Sequence, residues 1–302
     1  MCSDSDTLTS ELPERDFFSE TWALLPWTPW VLFTADKSEF RQIPKEPGLY
    51  RIRPAGKDFL MYIGETRRPL HQRLLDLRME LRGTAQMPWA DPHAESAALW
   101  AWQDAEAFEY ECSAAPLDAT ANGRRGMENY LLYRYRQEYL ASTPCNFGRF
   151  HPRYRKSTPR KENLRGGKLA EGQKSNPAGS PGSPPLTPAG IPGEPGWMGL
   201  AWSARVPFAP ETAPEDPAGP CLFILTDAIS QEILYLGQSA HCINPLPDHV
   251  RKSSEGRELL VSYHTVEKTV LPHQLREMEC DLVGNYFGQY KKAPEFQFRN
   301  RQ

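Results

Sequence analysis

The chain repeats itself, and a repeat restricts the fold more than any local pattern can. Trp22, Trp27, Val31 and Phe33 recur as Trp197, Trp202, Val206 and Phe208, each displaced by 175 positions. Gly48-Leu49-Tyr50 returns as Cys221-Leu222-Phe223, and Tyr62-Ile63-Gly64-Glu65-Thr66 returns as Tyr235-Leu236-Gly237-Gln238-Ser239. Both are displaced by 173, so the eleven-residue gap between the motifs is kept. Met127-Glu128 maps onto Met278-Glu279 at a displacement of 151, and Pro144 onto Pro294 at 150. An ordered series whose displacement only shrinks is the trace of a duplication followed by deletions, chiefly one of 22 residues between Gly64 and Glu128. One fold used twice is expected.

At 302 residues there is room for two ordinary domains, and 39% hydrophobic residues with eight Trp can furnish a core for each. Residues 1–16 are polar and acidic without periodicity, which predicts a disordered tail. Residues 151–196 open with Arg153, Arg155, Lys156, Arg160 and Lys161 and pass into runs such as Ser180-Pro181-Gly182-Ser183-Pro184-Pro185. So little apolar surface cannot offset the entropy of ordering, and the composition predicts a disordered linker. The folded units are then 17–150 and 197–302.

The net charge of -3 does not favour nucleic-acid binding over the whole chain, because phosphate neutralisation usually shows as a basic excess. Only 151–196 is basic, with eight Lys and Arg against three Asp and Glu. Cys2, Cys112, Cys145, Cys221, Cys242 and Cys280 include no CxxC pair, which argues against a zinc site or disulfide framework and for a reducing, cytoplasmic setting. No run of eighteen apolar residues occurs, so no membrane segment is expected.

Within the first half, residues 48–53 and 59–63 are short aromatic and β-branched runs on either side of Pro54-Ala55-Gly56-Lys57-Asp58, a hairpin signature. That hairpin sets Tyr50 and Tyr62 on neighbouring strands. Leu70, Leu74, Leu77 and Leu81 keep helical spacing, so Arg73 sits in the first turns of a helix. A third strand is expected over 107–113 and a helix over 127–140, with Glu128 in its first turn and Pro144 beyond its end. The expected fold class is α/β, each copy a small three-stranded, mainly antiparallel sheet flanked by helices.

Phosphodiester cleavage needs an activated water, charge stabilisation on the phosphoryl oxygens and help for the leaving oxygen. A hard cation such as Mg²⁺ can be held by one or two carboxylates, with water and phosphate completing its shell. Glu128 is the candidate ligand and Arg73 the candidate phosphate clamp. A tyrosine phenol can accept a proton or position the water if cation and arginine lower its pKa.

The order GLY, eleven residues, YIG, a helical Arg, a later helical Glu and then Pro144-Cys145-Asn146 resembles the GIY-YIG nucleases over 46–147, and more weakly over 219–298. The resemblance implies that Tyr50 assists as general base, Tyr62 orients water or phosphate and Arg73 steadies the phosphate. It further implies that Glu128 binds one Mg²⁺ (or Mn²⁺), that Asn146 braces the site by hydrogen bonds, and that the substrate is nucleic acid, DNA by preference. The chain departs from the pattern at Leu49, in an Arg73 one residue further from Gly64 than is commonest, and at Leu77, where some members carry His. His71 precedes Arg73 and is not an evident substitute.

The second copy has Phe223 for the first tyrosine and Leu246 at the arginine position, and no clear counterpart of Asn146 near Phe296 and Gln297. It reads as a pseudo-nuclease domain. The whole then reads as a divalent-metal-dependent endonuclease. The competing expectation is a non-catalytic nucleic-acid-binding or assembly scaffold, with pairing either between the two halves or between two chains. Trp22, Trp27 and Trp30 read as structural rather than base-stacking, since they recur in part. The insertion between Gln86 and Trp102, most of it missing from the second half, reads as an added structural helix rich in Ala, the alternative being part of a substrate groove or a specificity loop.

Overall fold

The computed structural model describes residues 15–82, 85–90, 94–208, 219–240, 250 and 256–298. The expected tail lies almost wholly outside these, and its last two residues already lead into a short 3-10 helix, Asp16–Phe18. The first half runs β1 (Val31–Leu32), β2 (Gly48–Pro54), β3 (Tyr62–Thr66), α1 (Leu70–Leu81), α2 (Ala94–Glu106), β4 (Tyr110–Pro116) and α3 (Ala121–Tyr139). One strand pair follows, β5 (Tyr154–Arg155) with β6 (Gly167–Lys168), and then the second half: β7 (Val206–Phe208), β8 (Cys221–Asp227), β9 (Ile233–Ser239), β10 (Leu259–Thr265) and α4 (Pro272–Tyr290). The class is mixed α/β with antiparallel sheets. No helix among the described residues is long and apolar enough to cross a membrane.

The two large sheets have the same strand order, β1-β4-β2-β3 and β7-β10-β8-β9. Each therefore has four strands rather than the expected three. The extra edge strand is short and grows out of the Trp-containing segment, where two or three residues leave too little alternation to read as a strand. Equivalent residues face each other across equivalent ladders, Tyr50 opposite Gly64 and Phe223 opposite Gly237.

Strand β2 is buried on both faces, so it carries a continuous run rather than alternation. Tyr50 and Ile52 pack with the leucines of α1 and with α2, while Leu49 packs with Phe17, Trp22 and the α3 residues Leu131 and Tyr135. Arg51 is fully buried on this second face, stacked 4.3 Å from the Trp27 ring and 4.7 Å from Trp30 and donating to the carbonyls of Phe17 and Ser19. The tryptophans thus enclose an arginine, which is a structural use.

Helix α3 begins at Ala121, six residues before the expected start, with the Thr120 hydroxyl accepting from Gly123 N at 3.1 Å. Gly123 and Gly126 disguise this beginning, and Glu128 lies two turns in rather than in the first turn. Gly126 has its own reason: a Cβ there would strike the Phe287 ring of α4. Gly284 likewise stands against Asn129 and Tyr133, and Gly288 against Tyr130, so α3 and α4 cross in antiparallel contact with few side chains between them. The two halves pair with each other through these helices.

At one end of that contact Arg136, Glu277 and Asp281 are completely buried. Arg136 forks onto Asp281 at 2.8 and 3.0 Å, with Glu277 at 3.6 Å. The supposed linker closes this cluster. Ser183 N and Leu186 N donate to Glu277 and Asp281 at 2.6 and 2.9 Å, while Arg136 reaches the carbonyls of Ser183 and Pro184. Further back Tyr154 donates to Asp104 of α2 at 2.6 Å, and Arg153 donates to the carbonyls of Ala170 and Gln173. Residues 151–196 are therefore packed, contrary to the expectation from composition. Their order comes from hydrogen bonds to buried charges, which a count of apolar residues does not register.

Replacing Arg136 by Met should leave the buried Asp281 without its arginine and Glu277 with only Arg149, 3.9 Å away, and cost roughly 3–5 kcal/mol. Urea denaturation of the variant against the parent measures this, and a loss below 1 kcal/mol would mean the cluster does not hold the halves together.

Candidate active site

The β2–β3 hairpin brings Tyr50 and Tyr62 onto one face, their rings 5.8 Å apart at 33°. Gly64 lies beneath both: a Cβ there would come within 2.6 Å of Tyr62 and 2.8 Å of Tyr50. The glycine of the second motif is thus a packing requirement. The second copy repeats the arrangement, with Phe223 and Tyr235 5.8 Å apart at 36° above Gly237.

Arg73, the fourth residue of α1, is held over the sheet by burial of Leu70, Leu74 and Leu77 on the same helix. Its Nε and Nη2 donate to the Tyr50 hydroxyl at 3.2 and 3.1 Å. Nη2 also forms an ion pair with Glu95, whose Oε1 accepts from the Tyr50 hydroxyl at 3.3 Å. Both members of that pair are nearly buried, with side chains 10% and 8% exposed. Glu95 is the second residue of α2, within the insertion. That insertion is a helix, as its alanines suggest, yet it also delivers a carboxylate to the tyrosine and arginine. The signal in the sequence was that an acid-bearing insertion accompanies only the half that keeps Tyr50 and Arg73.

Glu128 projects from α3, half-buried, and its charge raises the pKa of both Tyr50 and Tyr62. Burial is the larger cause in each case, and Arg73 acts in the opposite direction. Both phenols are accordingly held protonated near neutrality, not activated by the arginine. Among the described residues no group of three or more His, Cys, Asp or Glu is disposed to hold a metal. Glu128 lines a cavity of about 320 Å³ at the seam between the halves, together with Asn146, Phe147, Arg276 and Glu279.

Asn146 acts on the backbone. Its Oδ1 accepts from Ile63 N at 3.0 Å and its Nδ2 donates to Ile63 O at 2.8 Å, while Thr143 fixes the amide orientation by donating to Oδ1 at 2.7 Å. Because β3 is the sheet edge, these bonds satisfy the polar groups that an absent neighbour strand would take. Gln297 does the same for Leu236, at 3.0 and 2.8 Å. The second copy therefore does have a counterpart of Asn146, contrary to expectation. It went unseen because the exchange adds a methylene, although its displacement of 151 matches that of Glu128 and Glu279. Leu246, at the spacing of Arg73, lies outside the described residues.

Five sequence-selected residues are thus distributed in two roles around one hairpin. Tyr50, Tyr62, Arg73 and Glu128 form an electrostatically coupled group, and Asn146 pins the strand that carries Tyr62. The chain matches no family model, no curated protein and no solved structure. The functional reading therefore rests on these side chains.

Gly64→Ala should overpack the tyrosine pair and lower stability by about 1–3 kcal/mol. Thermal unfolding and the near-ultraviolet circular dichroism of the aromatic residues should both change; an unaltered spectrum and midpoint would contradict the packing described.

Proposed function

We propose that the chain is an endonuclease of GIY-YIG type that hydrolyses phosphodiester bonds in DNA, with the first half as the cutting unit and the second as a catalytically degenerate copy. The observation that carries this reading is the Arg73 guanidinium donating twice to the buried Tyr50 hydroxyl, with Tyr62 packed beside it on the wall of one cavity and Glu128 on the wall of the next. Phenol, guanidinium and carboxylate around adjoining cavities suit a phosphate diester better than they suit a packed core.

Glu128 would hold Mg²⁺ (or Mn²⁺). Its oxygen donors suit a hard cation, and its place on a cavity wall leaves room for water and phosphate oxygens in the shell. When bound, the ion supplies Lewis-acid stabilisation of the phosphoryl charge. The remaining steps belong to the protein. Tyr50 can serve as base only after its own proton moves to the Glu95 carboxylate, the acceptor that its hydroxyl already faces. Arg73 then balances the phenolate and the incoming phosphate together, which loosens its grip on Glu95. Tyr62, half-buried beside the cavity, orients the water or phosphate, and Asn146 keeps its strand from shifting.

The second reading is a non-catalytic nucleic-acid-binding or assembly scaffold. The ion pair between Arg73 and Glu95 favours it to the extent that the arginine is already neutralised.

The deciding assay incubates the purified chain with single-stranded, duplex and branched DNA in Mg²⁺ or Mn²⁺, beside Glu128→Ala and Tyr50→Phe. Cutting by the parent, lost in Glu128→Ala and reduced about 10²-fold or more in Tyr50→Phe, is expected. Tight binding with no cutting by any of the three supports the scaffold. Glu95→Gln should lower kcat by about 10²-fold because the proton acceptor is gone. Its KM should fall at the same time, since Arg73 is released to the substrate; a raised KM would contradict the competition between carboxylate and phosphate.

A further inference from the structure

Asn146 and Phe147 separate two cavities. One, of about 180 Å³, is lined by Tyr62, Glu95 and Lys156. The other, of about 320 Å³, is lined by Glu128, Gln238, Arg276 and Glu279. Lys156 comes from the basic segment between the halves, and Arg276 from the second turn of α4 in the degenerate copy. Neither belongs to the half that carries Tyr50 and Arg73.

Both cations are exposed, and no carboxylate of a described residue lies within ion-pair distance of either. Arg276 donates only to the Phe147 carbonyl, at 3.0 Å. The two converge on one loop: Arg276 bonds the Phe147 carbonyl and lies against Gly148, while Lys156 lines its cavity with the same two residues, and burial and then Arg276 lower the pKa of Lys156. Some exposed arginines have acid partners, Arg68 with Asp76 and Arg257 with Glu295, whereas Arg82 and Arg205, like Arg276, donate to neutral acceptors. An uncompensated like-charge pair costs energy in the free protein that an anion would return.

The duplication shows how Arg276 lost its partner. At a displacement of 151 it corresponds to Arg125, which lies 3.7 Å from Glu65. At a displacement of 173 Glu65 corresponds to Gln238, which has no charge. The copy that lost the Tyr50 hydroxyl has thus also exchanged an internal acid for an amide and kept the arginine facing the seam. Glu128 and Glu279 on the same cavity wall would repel a polyanion, so cations at its rim are what make the cleft accessible to one.

We propose that Lys156 and Arg276 form a phosphate-binding pair that seats a DNA strand along the seam, next to the Tyr62 and Glu128 side chains, so that the degenerate copy supplies one wall of the substrate cleft. This rests on the reading of the first half as a nuclease for the identity of the polyanion, but it concerns binding and can be tested apart from cutting.

The test uses the full chain with Glu128→Gln, so that no DNA is consumed, and fluorescence anisotropy of labelled 20-nucleotide single strands and 20-base-pair duplexes across a KCl series. Adding Lys156→Gln and Arg276→Gln should weaken binding roughly tenfold or more at 0.1 M salt. It should also reduce the slope of log K against log salt by about 1.8 for duplex or about 1.4 for single strands, two phosphate contacts' worth. The pair Lys37→Gln and Lys57→Gln, exposed and remote, is the charge-matched control and should change neither by as much. Gln238→Glu should by itself weaken binding as much as Arg276→Gln does, because it restores the acid that occupies Arg125 in the first copy. In the Arg276→Gln background it should have less than about half that effect on log K.

Binding by the Lys156/Arg276 variant equal to that of the control overturns the proposal, as does absence of DNA binding by the Glu128→Gln parent. The two readings separate cleanly. A chain that cuts nothing but loses DNA with these substitutions keeps the cleft and loses the hydrolase. A chain that cuts normally while these substitutions match the control does the reverse.

Discussion

Helices α3 and α4 meet where Gly126, Gly284 and Gly288 remove the side chains that would hold their axes apart, and the arrangement of both sheets depends on that approach. Close contact excludes water from the Arg136 guanidinium, so its charge must be met by Glu277 and Asp281 from the opposite helix. Two carboxylates around one arginine leave acceptor capacity over, and the backbone amides of Ser183 and Leu186 take part of it, with Arg149 3.9 Å from the remaining Glu277 oxygen. Burial raises the pKa of Asp281, opposed chiefly by Arg136. The connection between the halves is thereby drawn across the seam and cannot act as a free tether.

That geometry gives the seam its chemistry. Glu128 and Glu279 are equivalent positions on the two antiparallel helices, so pairing the helices brings both carboxylates to one cavity. In an isolated copy each would face solvent alone. The candidate metal ligand, the loop with Asn146 and Phe147 and the cation of α4 share a cleft because the copies are joined at their carboxylate-bearing helices.

The sequence made legible those features that are local and repeated. The eleven-residue gap between the motifs corresponds to an actual hairpin with Tyr50 opposite Gly64, and the leucine spacing around Arg73 to α1. Strand bounds moved by about three residues where turns and pleat residues look alike, β3 to 62–66 and β4 to 110–116. What was hidden involves partners distant in the chain. The glycines that seem to break α3 are explained only by Phe287 on another helix. The order of residues 151–196 is explained only by acids a hundred positions later. Glu95 is meaningful only beside Arg73, and Gln297 only beside Leu236.

The differences between the copies follow one physical rule. The Tyr50 hydroxyl is fully buried and is satisfied by Arg73 as donor and Glu95 as acceptor. The second half lacks the insertion that supplies Glu95 and has Leu246 at the spacing of Arg73. A hydroxyl kept there without such partners would be a buried polar group at a cost of about 1–3 kcal/mol. Phe223 removes that cost while keeping the ring that covers Gly237. Tyr235 keeps its hydroxyl, and it lines the cavity at the seam. Loss of phenol, guanidinium and carboxylate together is therefore what a linked group undergoes once one member goes, whereas residues that pack the hairpin or face the shared cleft are retained. At Gln238 the exchange is of the same kind: the position equivalent to Glu65 carries no charge, and Arg276, equivalent to Arg125, bonds the Phe147 carbonyl instead of an acid there.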